Sequence, residues 1–345
     1  MADPSTAADT AGKKTARVVT APHAGDARGG GEGDEAPAAV HKLTECLEFG
    51  ADAEDLYYVG TSGVKVTEID GLENMPRLER LHLRSNLLTS MDGIASLAQL
   101  QHLELYDNQL RKISSLDALV NLRVLDLSFN EIRVIPDLSH LVQLQELYVA
   151  NNKLKRVSGV ARLRALKKLD LGANRLREIE GLDGLEQLEQ LWLGKNKIEK
   201  IEGLETLTSL RIISVQSNRL LKIEGLESNK ALEELYLSHN GIEVLEGFAH
   251  LTQLTTMDVG ANRIASIPTE VQALTALEDL WLNDNKIEHL SDVERLVPLR
   301  ASLRTLYLER NPLAKDFEYR KKLEALLPEL DQIDAVPTTN ARRPR

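Results

Sequence analysis

Aromatic residues make up only 4% of this 345-residue chain, so its core must be aliphatic and any grouping of rings carries information. Cysteine is nearly absent: Cys46 stands alone, which excludes an intramolecular disulfide and a disulfide-stapled extracellular scaffold. No stretch approaches the roughly 18 consecutive apolar residues of a membrane-spanning helix, so no membrane association is expected. Basic side chains are outnumbered, 42 against 53 acidic, for a formal charge of −11. A phosphate backbone needs a basic surface, so the charge argues against nucleic acid as a partner and favours basic protein partners. The first residues lack the apolar core of a secretory signal, and Asp3 and Asp9 suit no transit peptide. A soluble intracellular protein is expected. Apolar residues reach 42%, enough for a real core.

What the chain does have is a repeat. The frame L-x-x-L-x-L-x-x-N begins at Leu78, Leu100, Leu122, Leu144, Leu166, Leu188, Leu210, Leu232, Leu254, Leu277 and Leu303. Its period is 22 residues eight times, then 23, then 26. The ninth position is asparagine in every copy, from Asn86 to Asn311. This is the frame of leucine-rich repeats, and it predicts an α/β repeat solenoid. The L-x-L piece reads as a short strand with leucines inward and the residue between them outward. The asparagine amide can satisfy backbone groups left bare where the chain turns. The second half, as in Ile198, Ile201, Leu204 and Leu207, suits a short 3₁₀ or extended return leg. No repeat buries its own apolar face, so stability is a nearest-neighbour sum.

The expected organisation is a disordered tail over 1–37, a short helical segment within 38–55, a degenerate capping repeat over 56–77 with Val64 in the asparagine place, eleven repeat strands over 78–311, a C-terminal cap over 312–335 and a disordered tail over 336–345. The cap carries a helical register through Phe317, Leu323 and Leu326, then a strand-like piece to Ile333. Stacked this way the chain becomes a horseshoe, with a parallel β-sheet on its concave face.

The outward slot would then form the central row of that sheet. It reads His82, Glu104, Asp126, Tyr148, Asp170, Trp192, Ser214, Tyr236, Asp258, Trp281 and Tyr307. Five of the nine Trp and Tyr residues fall in these positions, where chance would place about 0.3. None is Lys or Arg. Cross-strand stacking explains a few rings, but the alternation of carboxylate and ring from Asp126 to Trp192 reads as unfavourable for stacking and favourable for an interface. Asp279 shares a strand and a face with Trp281. Twelve strands at about 4.8 Å span roughly 55 Å, enough for one folded domain.

Chemistry is not indicated. The eight histidines are scattered without zinc spacing, so no metal is expected. The glycine-rich 29–33 lacks a phosphate-loop string, no G-x-S-x-G occurs, and no cofactor is implied. The row acids lie one repeat apart, unlike a paired-carboxylate catalytic site. The chain is expected not to be an enzyme.

The I-E-G-L return leg (179–182, 201–204, 223–226), QSNRL at 216–220, ELYLSHNGIEVLEGF at 234–248 and YLERNPLAKDFEYRKKLEALLPELDQIDA at 307–335 resemble one family closely. That family is the leucine-rich-repeat regulatory subunit 7 of type-1 serine/threonine protein phosphatase, and the resemblance covers 56–335. It implies a non-catalytic subunit gripping the phosphatase catalytic subunit across the concave face. The implied partner-binding residues are Asp126, Tyr148, Asp170, Trp192, Asp258, Asp279, Trp281 and Tyr307. The family often has Phe at Tyr148 and Trp192 and Glu at Asp170 and Asp279, so ring and acid character survive. The resemblance also implies nuclear and cytoplasmic location and a part in phosphatase maturation or mitosis. A third, inhibitor protein is a further candidate partner, and the chain on its own is expected to be a monomer. The strings RVVT at 17, KVTE at 65, RVIP at 133 and RVSG at 156 lack the Phe of a short phosphatase-docking motif, so binding must come from the folded surface. The competing reading is a leucine-rich-repeat adaptor for a different intracellular complex.

Overall fold

A computed structural model describes residues 15–16, 39–339 and 341. The chain divides into two units, Met1–Glu131 and Ile132–Arg345. Each is a stack of short strands joined by return legs.

In the first unit the strands are β1 (Thr15–Ala16), β2 (Ala39–Lys42), β3 (Asp55–Val59), β4 (Val64–Glu68), β5 (Arg80–Arg84), β6 (His102–Glu104) and β7 (Val124–Asp126). A parallel sheet runs β1-β3-β5-β6-β7, and β2 pairs separately with β4. The second unit holds β8 (Glu146–Tyr148), β9 (Lys168–Asp170), β10 (Gln190–Trp192), β11 (Ile212–Ser214), β12 (Glu234–Tyr236), β13 (Thr256–Asp258), β14 (Asp279–Trp281), β15 (Thr305–Tyr307), β16 (Gln332–Ile333) and β17 (Val336–Pro337). These pair in order, parallel except for the last. The middle residue of each three-residue strand points inward: Leu147, Leu169, Leu191, Ile213, Leu235, Met257, Leu280 and Leu306 are all buried.

The asparagines tie repeat to repeat. The Asn196 carbonyl oxygen accepts the Leu176 N–H at 3.0 Å, while its amide donates to Leu171 C=O of the preceding repeat at 3.0 Å. The same amide donates to Leu193 C=O at 3.0 Å in its own turn. Asn108, Asn130, Asn174, Asn218, Asn240, Asn262, Asn285 and Asn311 repeat this arrangement. Backbone groups that the bend strands away from water are thereby paired. The turn has a cost: the residue before each asparagine sits at φ between 51° and 57°, as at Ala173 and Phe129. In the I-E-G-L legs the glycine is also required. Gly225 has φ +72°, and a Cβ there would lie 2.2 Å from the Ile201 carbonyl oxygen of the previous repeat.

The longer repeats store their extra residues in the legs. The 23-residue interval contains a 3₁₀ turn at Thr269–Ala273, and the 26-residue interval contains helix α2 (Leu290–Glu294) with a 3₁₀ turn at Val297–Leu299. The strands on either side stay in register.

Four expectations need correction. The helical segment shrinks to one turn, α1 (Leu43–Cys46), because 39–42 pair with the open edge of β4 instead. Asp70 accepts from the Thr44 N–H at 2.9 Å and its hydroxyl at 2.6 Å, fixing where the turn begins. The capping repeat is displaced by three residues: Leu56 pairs with Leu81 and Tyr57 with His82, so Thr61 rather than Val64 stands in the asparagine place. In the C-terminal cap, helix α3 (Tyr319–Leu326) buries Leu323, with Leu327 and Leu330 following, while Phe317 is 95% exposed and Leu326 only half-buried. Finally, Thr15–Ala16 and Val336–Pro337 form strands within segments expected to be disordered, each on a sheet edge left open by β3 or β16. The rest of 1–37 lies outside the described residues apart from that strand.

Asn196→Ala should destabilise the chain by about 2–4 kcal/mol, because it leaves the buried Leu176 N–H and Leu171 C=O unpaired. Urea unfolding checks this, and a loss under about 1 kcal/mol would show that the side-chain ladder is not structural.

A ring and carboxylate face on the second unit

The outward residues of β8 to β15 share one face of the second unit. The register sets Tyr148 beside Asp170, Asp170 beside Trp192, Ser214 beside Tyr236, and Asp258 between Tyr236 and Trp281. Tyr307 follows Trp281. Asp126 lies at the matching place on β7 in the first unit.

The rings do not stand apart. Trp192 stacks on Tyr236 with centroids 6.2 Å apart and planes at 22°. Tyr236 meets Trp281 at 6.4 Å, and Trp281 meets Tyr307 edge-on at 6.0 Å. Trp192 and Tyr236, like Tyr236 and Trp281, stand two strands and so about 9.6 Å apart, and these rings converge above the residue between them. That residue is accordingly covered: Ser214 is 3% exposed and Asp258 5%. Alternation therefore favours ring contact rather than opposing it, because a small or acidic residue leaves room for two neighbours to lean together. Tyr148 stands outside this file. Its hydroxyl bonds Glu146, and Lys168 lies 5.1 Å from its ring centroid.

The carboxylates do two jobs. One oxygen of Asp170 accepts the Gly172 N–H at 2.9 Å, and one of Asp258 accepts the Gly260 N–H at 3.0 Å. Asp126 does the same with Ser128 at 2.8 Å. Each thus pins the turn after its own strand. Asp258 also accepts from Gln216 at 3.2 Å. Burial pushes all three carboxyls above their ordinary range, against the pull of those backbone donors. Burial raises the Tyr236 hydroxyl too, followed by its 2.7 Å hydrogen bond to Glu234 and the nearby charges of Asp258 and Asp279.

Both indole nitrogens, of Trp192 and of Trp281, are buried without a hydrogen-bond partner. An unmet donor costs roughly 1–3 kcal/mol, so the free face is not at its electrostatic best.

The structure brings Tyr148, Asp170, Trp192, Asp258, Asp279, Trp281 and Tyr307 onto one face and places Asp126 in the first unit. Two residues of this pattern are not among the implied partner-binding residues. Tyr236 touches both tryptophans; its place in the repeat frame marked it, although the family resemblance did not. Tyr57 stacks on His82 at 4.3 Å in the first unit, and the displaced register of β3 hid it. Among the described residues no His, Cys, Asp or Glu cluster could hold a metal, and no helix is long and apolar enough to cross a membrane.

A stacked parallel sheet with a continuous ring and carboxylate face is the architecture of a binding scaffold, not of an enzyme. Comparisons place it. The family description "Leucine-rich repeat" matches residues 228–338, and "Leucine Rich repeats (2 copies)" matches 98–141, 142–184 and 186–228. An internalin of Listeria monocytogenes superposes with TM-score 0.72 at 30% identity, covering 81% of this chain and 79% of that one. A leucine-rich-repeat protein of Leptospira interrogans gives TM-score 0.74 at 26% identity, over 81% and 72%. The chain belongs to the leucine-rich-repeat proteins. It is similar, over short stretches, to "Protein phosphatase 1 regulatory subunit pprA" of Dictyostelium discoideum, 42% identical over 63 residues, and to "Protein phosphatase 1 regulatory subunit 7" of Homo sapiens, 52% identical over 50 residues. The matched stretches cover 18% and 14% of this chain and the same shares of those relatives.

Asp170→Asn keeps the oxygen that accepts from Gly172 and removes the buried charge. With its carboxyl raised, the folded chain holds that proton more tightly than the unfolded one. The stability this contributes is present below the ordinary carboxyl value and lost as pH rises through the raised one. Asp170→Asn should therefore melt no lower than wild type at neutral pH, with a smaller melting difference between pH 7 and roughly pH 4, the ordinary carboxyl range. Calorimetric scans at the two pH values decide it.

Proposed function

We propose that this chain is a non-catalytic regulatory subunit that binds the catalytic subunit of type-1 serine/threonine protein phosphatase. The observation that carries the reading is the file Trp192, Tyr236, Trp281 and Tyr307, flanked by Asp170, Asp258 and Asp279. Rings of this size, half-buried and packed against one another, are presented at little conformational cost, which is what interface anchors require. The carboxylates between them favour a basic patch on the partner and set its register. The two unpaired indole donors gain acceptors if a partner's polar groups reach them. The similarity to phosphatase regulatory subunits supports type-1 phosphatase as that partner.

On this reading the subunit controls the phosphatase's activity, maturation or location, in nucleus and cytoplasm. It acts as a monomer that engages one catalytic subunit, with room for a third, inhibitor protein in the assembly. Tyr148 and, on the first unit, Asp126 contribute to the same kind of contact. Asp126, like Asp170 and Asp258, takes up a proton at higher pH than an ordinary carboxyl, so acidification should weaken the contact early.

Wild type immobilised in cell extract should retain type-1 phosphatase, and Trp192→Ala/Trp281→Ala should retain at least about tenfold less. Equal recovery by both proteins would sink the proposed face; no recovery by wild type would sink the phosphatase assignment. Circular dichroism of the double variant separates lost binding from lost fold.

A further inference from the structure

The legs that follow each asparagine turn carry a second pattern, away from the ring face. In the second unit the residue one past the asparagine is basic at Lys153, Arg175, Lys197, Arg219, Arg263 and Lys286. The Arg175 N–H donates to Leu154 C=O and the Lys197 N–H to Leu176 C=O, both at 2.8 Å, so successive members stand one above another. Each faces the residue three past the previous asparagine, twenty positions earlier in the 22-residue repeats. Ion pairs show this register: Arg219 with Glu199 and Arg263 with Glu243, both at 3.6 Å. Arg111 and Glu131 repeat it in the first unit at 3.3 Å with the signs exchanged.

In the first three registers of the second unit the acid is missing. Arg133 faces Lys153, Lys155 faces Arg175, and Arg177 faces Lys197. Among the described residues, Arg133, Lys155, Arg175, Arg177 and Lys197 make no ion pair. Facing like charges destabilise where facing opposite charges would help. The cations border two hollows that share Lys155, Arg156 and Arg175. One, of about 530 Å³, also has Arg133 on its rim and is lined by Val134 and Val157. The other, of about 560 Å³, is bordered also by Arg177 and Lys197, with Glu178 and Glu180. Glu180 is committed to Arg156, which it binds through two contacts of 2.8 and 2.9 Å. Val134 is 63% exposed, an apolar surface beside cations on a chain whose net charge is −11.

The geometry points to a docking site here for an acidic peptide segment of a partner protein. Its carboxylates sit between the facing cations of the Lys155–Arg175 and Arg177–Lys197 registers, and an apolar side chain covers Val134. A carboxylate placed between two cations turns a repulsive register into two charge-assisted hydrogen bonds. The hollows have the size of sites for several side chains rather than one small ion. Polynucleotide fits poorly. Three registers extend only about 15 Å, no ring lines the hollows for base stacking, and the rest of the chain is acidic.

The test uses the full chain and a dye-labelled peptide of alternating Glu and Leu, followed by fluorescence anisotropy. The comparison ligands are the same peptide with Gln for Glu and a labelled oligothymidylate. The variant Lys155→Glu/Arg177→Glu supplies the acid that Glu199 and Glu243 provide elsewhere. It should therefore melt at or above wild type, which keeps a loss of binding distinct from a loss of fold. Wild type is expected to bind the Glu peptide in a salt-sensitive way and ignore the Gln peptide, and the variant should bind at least about tenfold more weakly. No binding of the Glu peptide by wild type, equal binding by the variant, or oligothymidylate bound as tightly would each overturn the proposal. None of these readouts involves the phosphatase, so failure of the ring-face assignment leaves this one standing.

Discussion

The asparagine side chain is the interaction on which the rest of this structure depends. A chain that reverses direction twice in 22 residues strands backbone donors and acceptors where water cannot reach them. One amide in each repeat resolves this by bonding backward to the previous turn and within its own. The leucines supply most of the stabilisation, but they would tolerate other packings. The amide fixes how far each strand is offset from the next. Everything displayed on the sheet face inherits that spacing.

Spacing then becomes chemistry. A ring, a small or acidic residue, then another ring lets two rings lean together across the strand between them, while Trp281 and Tyr307, on adjacent strands, meet edge-on. Trp192 and Tyr236 meet over Ser214, and Tyr236 and Trp281 meet over Asp258. The covered Asp258 loses solvent and regains only part of that stabilisation from the Gly260 amide, so it holds its proton more tightly than a free carboxyl does. Turn, ring packing and carboxyl charge are one coupled arrangement, so a substitution in the row acts on fold and surface together.

The sequence made the regular part legible because identical local rules repeat eleven times, and each copy checks the others. Where the rule weakens, the structure departs from it. At β3 no leucine-rich frame fixed the register, and three residues of displacement hid Tyr57. Over 39–42 the apolar spacing suited a helix, but the open edge of β4 offered backbone partners that local periodicity cannot encode. Phe317 fell in helical register by count, although α3 begins only at Tyr319. Ring contacts are hidden for a related reason: spacing along the chain shows which residues are adjacent, not that side chains two strands apart can converge.

The uneven repeats carry one more consequence. Insertions of one and four residues after β13 and β14 are absorbed by helical turns in the legs, while Asp258, Trp281 and Tyr307 keep their places beside one another. The ring and carboxylate row is thus addressed by strand order and not by residue count. Lineages can rebuild the back of such a molecule, lengthening or shortening its legs, and present an unaltered text to whatever reads the front. Only the gain or loss of a whole strand shifts a letter.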